Sequence, residues 1–201
     1  FAVNVGINTQ FNEVTWFYPT LNSNYVNRFV TYNYLENVWS IGSMARTAWT
    51  DVGSFDTPLA TKYSPAGTEA TITTIYGLTA GRSILYQQED GVDDDGAAID
   101  AYVYSGYFDI GDGDQVLFMK RFIPDFKNQI GNITVRLLLR LYPQTSATPS
   151  SLDPYVITPT TDKVDTRARG RQIQLRIESD EIGSRWRFGT MRVDIQPDGI
   201  R

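Results

Sequence analysis

The stretch "NITVRLLLRLYP" (Asn132–Pro143) decides the fold class. Ile133, Val135, Leu137, Leu139 and Leu141 fall at every second position, with Thr134, Arg136 and Arg140 between them. A period of two is that of a β-strand, which shows one face to a core and the other to water. A helix would space its apolar residues three and four apart. No other segment reads as an amphipathic helix, and extended patterns recur throughout. The chain is therefore expected to be all-β, with antiparallel strands.

Towards the N-terminus the same reading gives short strands with tight connections. "FAVNVGINTQ" opens extended, and "EVTWFYP" (Glu13–Pro19), "RFVTYNY" (Arg28–Tyr34) and "VWSIG" (Val38–Gly42) follow, the last two joined by the turn "LEN". Such spacing belongs to sandwiches and propeller blades. A Trp near a strand end before Gly, as in "VWSIG", suits a blade packing on its neighbour. "ARTAWTDVG" adds another extended piece. Residues 57–72 read as a loop, whereas "ITTIYGL" and "RSILYQQE" (Arg82–Glu89) return to strand character. Further on, Ile99, Ala101 and Val103 alternate with Asp100, Tyr102 and Tyr104.

Towards the C-terminus a hairpin is expected. Ile173, Leu175 and Ile177 point inward, "SDEIGS" turns the chain, and Trp186 and Phe188 begin the return. Past Gly189 the inward set becomes Met191, Val193 and Ile195, a parity shift that reads as a β-bulge. Residues 1–80 are assigned to propeller-like meander blades. Residues 81–201 are assigned to further blades and a closing β-hairpin, with one continuous domain as the alternative.

The 201 residues suit one large or two small domains and can bury a core without staples. There is no Cys, which removes disulfides and thiolate chemistry, and no His, which removes Ser-His-Asp triads and His-ligated zinc. No apolar run approaches the roughly 20 residues of a membrane-spanning helix. No signal peptide is visible. The chain starts at Phe1 and not Met, already in strand material, and reads as a fragment of a longer polypeptide. The net charge of −5 is unevenly divided. Residues 1–115 hold 4 basic against 14 acidic side chains, net −10, and residues 116–201 hold 14 against 9, net +5. Opposite signs in one chain suit head-to-tail packing of identical subunits; a solvated surface with a chance imbalance is the plainer reading.

The acidic turns "EDGVDDDG" (Glu89–Gly96) and "DIGDGD" (Asp109–Asp114) offer Asp93, Asp95, Asp112 and Asp114 as weak metal candidates. Hard cations take several carboxylates, but the spacing misses the calcium-loop pattern, and Asp and Gly are ordinary turn formers. Paired carboxylates among Asp93, Asp95 and Asp112 could hydrolyse glycosides without His, yet no spacing selects a pair. No cofactor motif is present. Arg167, Arg169 and Arg171 alternate in "TRARGRQ" and would form a row on a strand. With Arg176, Arg185 and Arg187 they are read chiefly as an interface, with "ESDE" (Glu178–Glu181) as a possible internal partner. A DNA-facing surface and a solvated edge are the alternatives. Trp16, Tyr18, Trp39, Trp49 and Trp186 could stack on sugars or bases, but core packing is favoured.

The segments "EVTWFYP…NRFVTYNYLENVWSIGSMARTAWTD", "ILYQQEDGVDDDG", "YSGYFDIGDGDQ", "RFIPDF", "VITPTTDKVDTRARGRQIQLRIESD" and "WRFGTMRVDIQPDGIR" span nearly the whole chain. Together they resemble the C-terminal part of the β-propeller tail nozzle, or tail tubular, proteins of short-tailed bacteriophages. None of these segments is a catalytic motif. The resemblance implies a non-enzymatic structural component of the virion tail, in a homo-oligomeric ring, a hexamer, below the portal and adaptor. Genomic DNA would pass through it transiently and non-specifically on ejection. The acidic turns would then lie near the channel or solvent. Because the leading blades are missing, these residues alone could not close a propeller. A carbohydrate-binding or depolymerising tail-fibre domain is the main rival, and a calcium-dependent adhesin module is another.

Overall fold

The computed structural model describes residues 3–65, 81–144 and 149–199, in two compact units that divide between Asp90 and Gly91. Among the described residues the secondary structure is antiparallel β, with no α-helix and one 3₁₀ turn at Gly111–Gly113. The all-β expectation is met. "ITTIYGL" lies outside the described residues.

The first unit opens with a four-stranded meander, β1 (Asn4–Asn8), β2 (Glu13–Tyr18), β3 (Arg28–Asn33) and β4 (Val38–Gly42), ordered as in sequence. Asn37 closes the β3–β4 turn with φ 56°, a left-handed conformation that Asn tolerates better than most residues. The Asn33 side-chain oxygen accepts the N–H groups of Leu35 (3.1 Å) and Glu36 (2.9 Å), a local side-chain-to-backbone turn. A second sheet follows: β5 (Ala48–Thr50), β6 (Leu59–Ser64) and β7 (Arg82–Gln87), with β6 in the centre. The loop expected over 57–72 is therefore corrected, since Leu59–Ser64 is a strand paired on both edges. Pro58 and Pro65 bracket it from just outside, where proline deletes no ladder bond. β7, assigned from sequence to the second part, belongs to this unit.

The second unit contains β8 (Ala101–Tyr104), β9 (Leu117–Ile123), β10 (Phe126–Ile130), β11 (Ile133–Arg140), β12 (Ser150–Ser151), β13 (Tyr155–Ile157), β14 (Val164–Gly170), β15 (Gln172–Ser179), β16 (Arg185–Phe188) and β17 (Arg192–Pro197). One sheet runs β12-β11-β15-β8, with β13 sharing the β12 edge of β11. A second runs β14-β9-β17. Their inner faces share one core. Ile133, Val135, Leu137, Leu139, Ile173, Leu175 and Ile177 from the first sheet pack with Leu117, Met119, Phe122 and Ala168 from the second. This is sandwich packing. The alternation of β11 is realised over Ile133–Leu139, but Leu141 lies beyond the strand and is 58% exposed.

The expected C-terminal hairpin is not formed. β15 pairs with β11 and β8, β16 with β10, and β17 with β9. The reason is the partners available. Ile173, Leu175 and Ile177 find Leu139, Leu137 and Val135 directly across the ladder, while Phe188 meets Phe126. The parity shift past Gly189 is thus a change of sheet and not a bulge. The Gly189 and Thr190 N–H groups donate to the Asp125 carbonyl (2.8 Å) and carboxylate (3.1 Å), which carries the chain across. A Cβ at Gly189 would lie 2.5 Å from Asp125 Oδ2, so a larger residue would have to displace the carboxylate that accepts the Thr190 N–H. Among the described residues no sheet closes on itself, and β1–β4 is the one four-stranded meander.

Truncating Leu137, fully buried in the sandwich, is expected to cost about 2–5 kcal/mol in urea unfolding, whereas Leu141→Ala should cost less than about 0.5 kcal/mol.

Candidate functional site

The meander puts its apolar residues on the outside. Register places Val5, Trp16, Val30 and Ile41 in one cross-strand row and Ile7, Val14, Tyr32 and Trp39 in the next. Alternation sends both rows to the same face. Trp39 stacks on Tyr32 (centroids 4.5 Å) and Trp16 (6.0 Å). The face is open: Trp39 is 62% and Ile41 71% exposed, with Val5 and Ile7 near one half.

The opposite face carries Gly6, Asn8, Thr15, Phe17 and Thr31 and packs inward. Trp49 of β5 lies on it, stacked on Phe17 at 5.9 Å, its indole N–H donating to the Ile7 carbonyl at 2.8 Å. Gly6 makes room for this ring, because a Cβ there would come within 2.6 Å of it. The Thr15 and Thr31 hydroxyls pair at 2.7 Å. So the sheet inverts the usual order, in which the apolar face is the covered one.

The favoured core reading of the aromatics divides accordingly. Trp49 packs inside the first unit. Trp186 packs edge-on against Phe126 at 5.8 Å, its N–H donating to Ser179 Oγ at 2.9 Å. Trp16 and Trp39 line the open face, Tyr18 shares their parity, and Trp39 is a surface residue. The sequence reading also missed Arg46, buried in the first unit with its Nε donating to Gln88 Oε1 (3.2 Å) and its guanidinium 4.6 Å from the Tyr86 ring. Nothing in its local sequence separates it from a surface arginine.

The six candidate arginines do not form one row. Arg167 and Arg169 stand exposed on β14, and Arg169 pairs with Asp198. Arg171 turns into the 3₁₀ turn and donates to the carbonyls of Gly113 (3.0 Å) and Asp114 (2.6 Å). Arg176 on β15 shares Glu178 with Arg136 and lies over the Tyr102 and Tyr104 rings. Of "ESDE", Glu178 therefore answers Arg136 and Arg176, while Glu181 accepts from Asn132. Arg185 and Arg187 stand exposed on β16, where Arg187 lies directly across from Lys127.

The acidic segments act as turns. Asp93 Oδ1 accepts the Gly96 N–H (3.0 Å), Asp94 and Ala97 form an isolated bridge, and Asp95 and Gly96 are left-handed (φ 55° and 82°). Asp114 N–H closes the 3₁₀ turn on Gly111, which also contains Asp112. Among the described residues no three acidic side chains converge as a metal site. No protein-family model and no curated protein matches the chain.

One carboxyl in the first unit is strained electrostatically. Glu13 lies directly across the ladder from Asn8, whose amide donates to Glu89 (3.2 Å). Desolvation, then the nearby charges of Glu89 and Glu36, push Glu13 above its ordinary value of 4.5. The folded state therefore holds this proton more tightly than the unfolded chain. The penalty is absent below pH 4.5 and grows as pH rises through the raised folded value. Glu13→Gln should thus be more stable than the parent at neutral pH, and thermal melts should show the gain disappearing below pH 4.5.

Proposed function

We propose that the chain is a structural subunit of the tail nozzle of a short-tailed bacteriophage, in keeping with the motifs that resemble that family. In this reading it is not an enzyme. It assembles with identical copies into a ring in the virion tail, propeller-like in its meander portion, next to the portal and adaptor, and the ejected DNA passes through.

The observation that supports the reading is the open apolar face of β1–β4, with Trp39 62% and Ile41 71% exposed. Adjoining apolar rows of this kind are rare on soluble monomers and mark surfaces that are covered on association. The interface weight thereby moves from the arginines to unit 1, with the charged residues as its complement. A tail-fibre reading draws on one observation too: the Trp39–Tyr32–Trp16 stack is a platform on which a sugar ring could lie.

Ile41→Lys tests the first reading and Trp39→Ala the second. By light scattering the parent is expected to gain mass with concentration, and the Lys variant to stay monomeric with its melting temperature kept within a few degrees. A parent that stays monomeric and binds glycans through Trp39 would favour the fibre reading.

A further inference from the structure

The β10–β16 ribbon of the second unit has two unlike faces. Phe126, Trp186 and Phe188 pack on one another, with ring centroids 5.8 and 5.6 Å apart. The other face holds Lys127 directly opposite Arg187, with Arg185 two residues along the same strand, all exposed. Like charges placed directly across a ladder oppose its formation. Elsewhere in this unit several cations are answered, Arg121 by Asp165 and Asp194, Arg136 and Arg176 by Glu178, and Arg169 by Asp198, while Lys120, Arg167 and Arg192 stand exposed without a carboxylate partner among the described residues but do not face one another across a ladder. On the ribbon, among the described residues, no carboxylate answers these three cations. Two acids beside the ribbon in sequence are engaged by other donors, Asp125 by the Thr190 N–H and Glu181 by the backbone and side-chain N–H groups of Asn132. The ribbon therefore carries three cations on one face of a two-stranded sheet.

The chain also carries the matching surface. Asp90, Asp93, Asp94 and Asp95 stand exposed on the loop after β7. That loop is preformed by the reciprocal Asp94–Ala97 bonds (2.9 and 3.0 Å) and by the Asp93 bond to Gly96. We infer that the Lys127–Arg185–Arg187 ribbon binds the Asp90–Asp95 loop of a second copy of this chain. The contact is head-to-tail, since the two surfaces differ, and contacts of that type close into rings or propagate as filaments. Ile130, 48% exposed, lies opposite Arg185, so the patch mixes an apolar side chain with the cationic ones. That mixture suits a protein partner better than a phosphate backbone, which is tracked by cations alone. The inference rests on the assembly reading above and supplies its charged contact.

A charge-swap experiment on the whole chain tests it. Asp90→Lys and Asp94→Lys, with Asp93→Asn and Asp95→Asn, take the loop from −4 to +2; asparagine keeps the acceptor for the Gly96 N–H and tolerates the left-handed turn. Lys127→Glu with Arg185→Glu and Arg187→Glu takes the ribbon from +3 to −3. Each variant, once shown by circular dichroism to be folded, should self-associate at least about tenfold more weakly in sedimentation, because like charges then meet. An equimolar mixture of the two should associate again, since each reversed surface fits the other. The parent's association should weaken with added salt. The inference fails if the mixture does not recover, if both variants associate like the parent, or if the parent remains monomeric throughout. Unchanged association with lost retention on a single-stranded oligonucleotide would make the ribbon a nucleic-acid surface. Unchanged association with slower DNA release in virions carrying the loop variant would make the loop a channel lining. In either case loss of association in Ile41→Lys would leave the assembly reading standing.

Discussion

Trp49 seated on Gly6 is the contact on which the first unit depends. The indole takes the inner face of β1–β4, stacks on Phe17 and bonds the Ile7 carbonyl, so this face is filled by Trp49, Phe17 and Phe29 with small and polar residues around them. Alternation then leaves no choice for the remaining residues: Val5, Ile7, Trp39 and Ile41 must point the other way. A one-residue slip would bury them, but would drive a side chain from β1 into the Trp49 ring. The apolar outer face is thus a consequence of register. The sheet leaves its hydrophobic rows uncovered, as the proposed assembly requires.

The second unit has the ordinary arrangement, with apolar faces inward. Its sandwich core frees the outer strands to carry charge, most of it matched within the chain. The β10–β16 ribbon and the Asp90–Asp95 loop each gather several charges of one sign without an opposite charge among the described residues beside them. Apolar surface supplies most of the energy of an association, while charge at its margin sets register and discriminates among partners. An apolar face on one unit and complementary charges on the other suit that division.

Much of this was legible in the sequence where a strand's pattern depends on its own residues. Ile133–Leu139 alternates because it lies between a core and water, and β2, β3 and β4 fall within a residue of their expected limits. What was not legible depends on pairing partners distant in sequence. β15 and the strand after it look like a hairpin, yet β11 and β10 compete for them with better-matched apolar residues. Leu59–Ser64 was hidden by flanking prolines. At the candidate surfaces, Trp39 reads as core because tryptophan usually is, and only the position of Trp49 turns it outward. The arginine row fails because Arg171 follows the corner between β14 and β15 and points to the 3₁₀ turn.

Hydroxyl-radical footprinting of the side chains, at dilute and assembling concentrations, would test the central claim most directly. On association, oxidation of Trp39, Ile41 and Val5 should fall sharply, while Leu141, exposed on the second unit, should hold its rate. Unchanged labelling of Trp39 and Ile41 in the assembled protein would contradict the account.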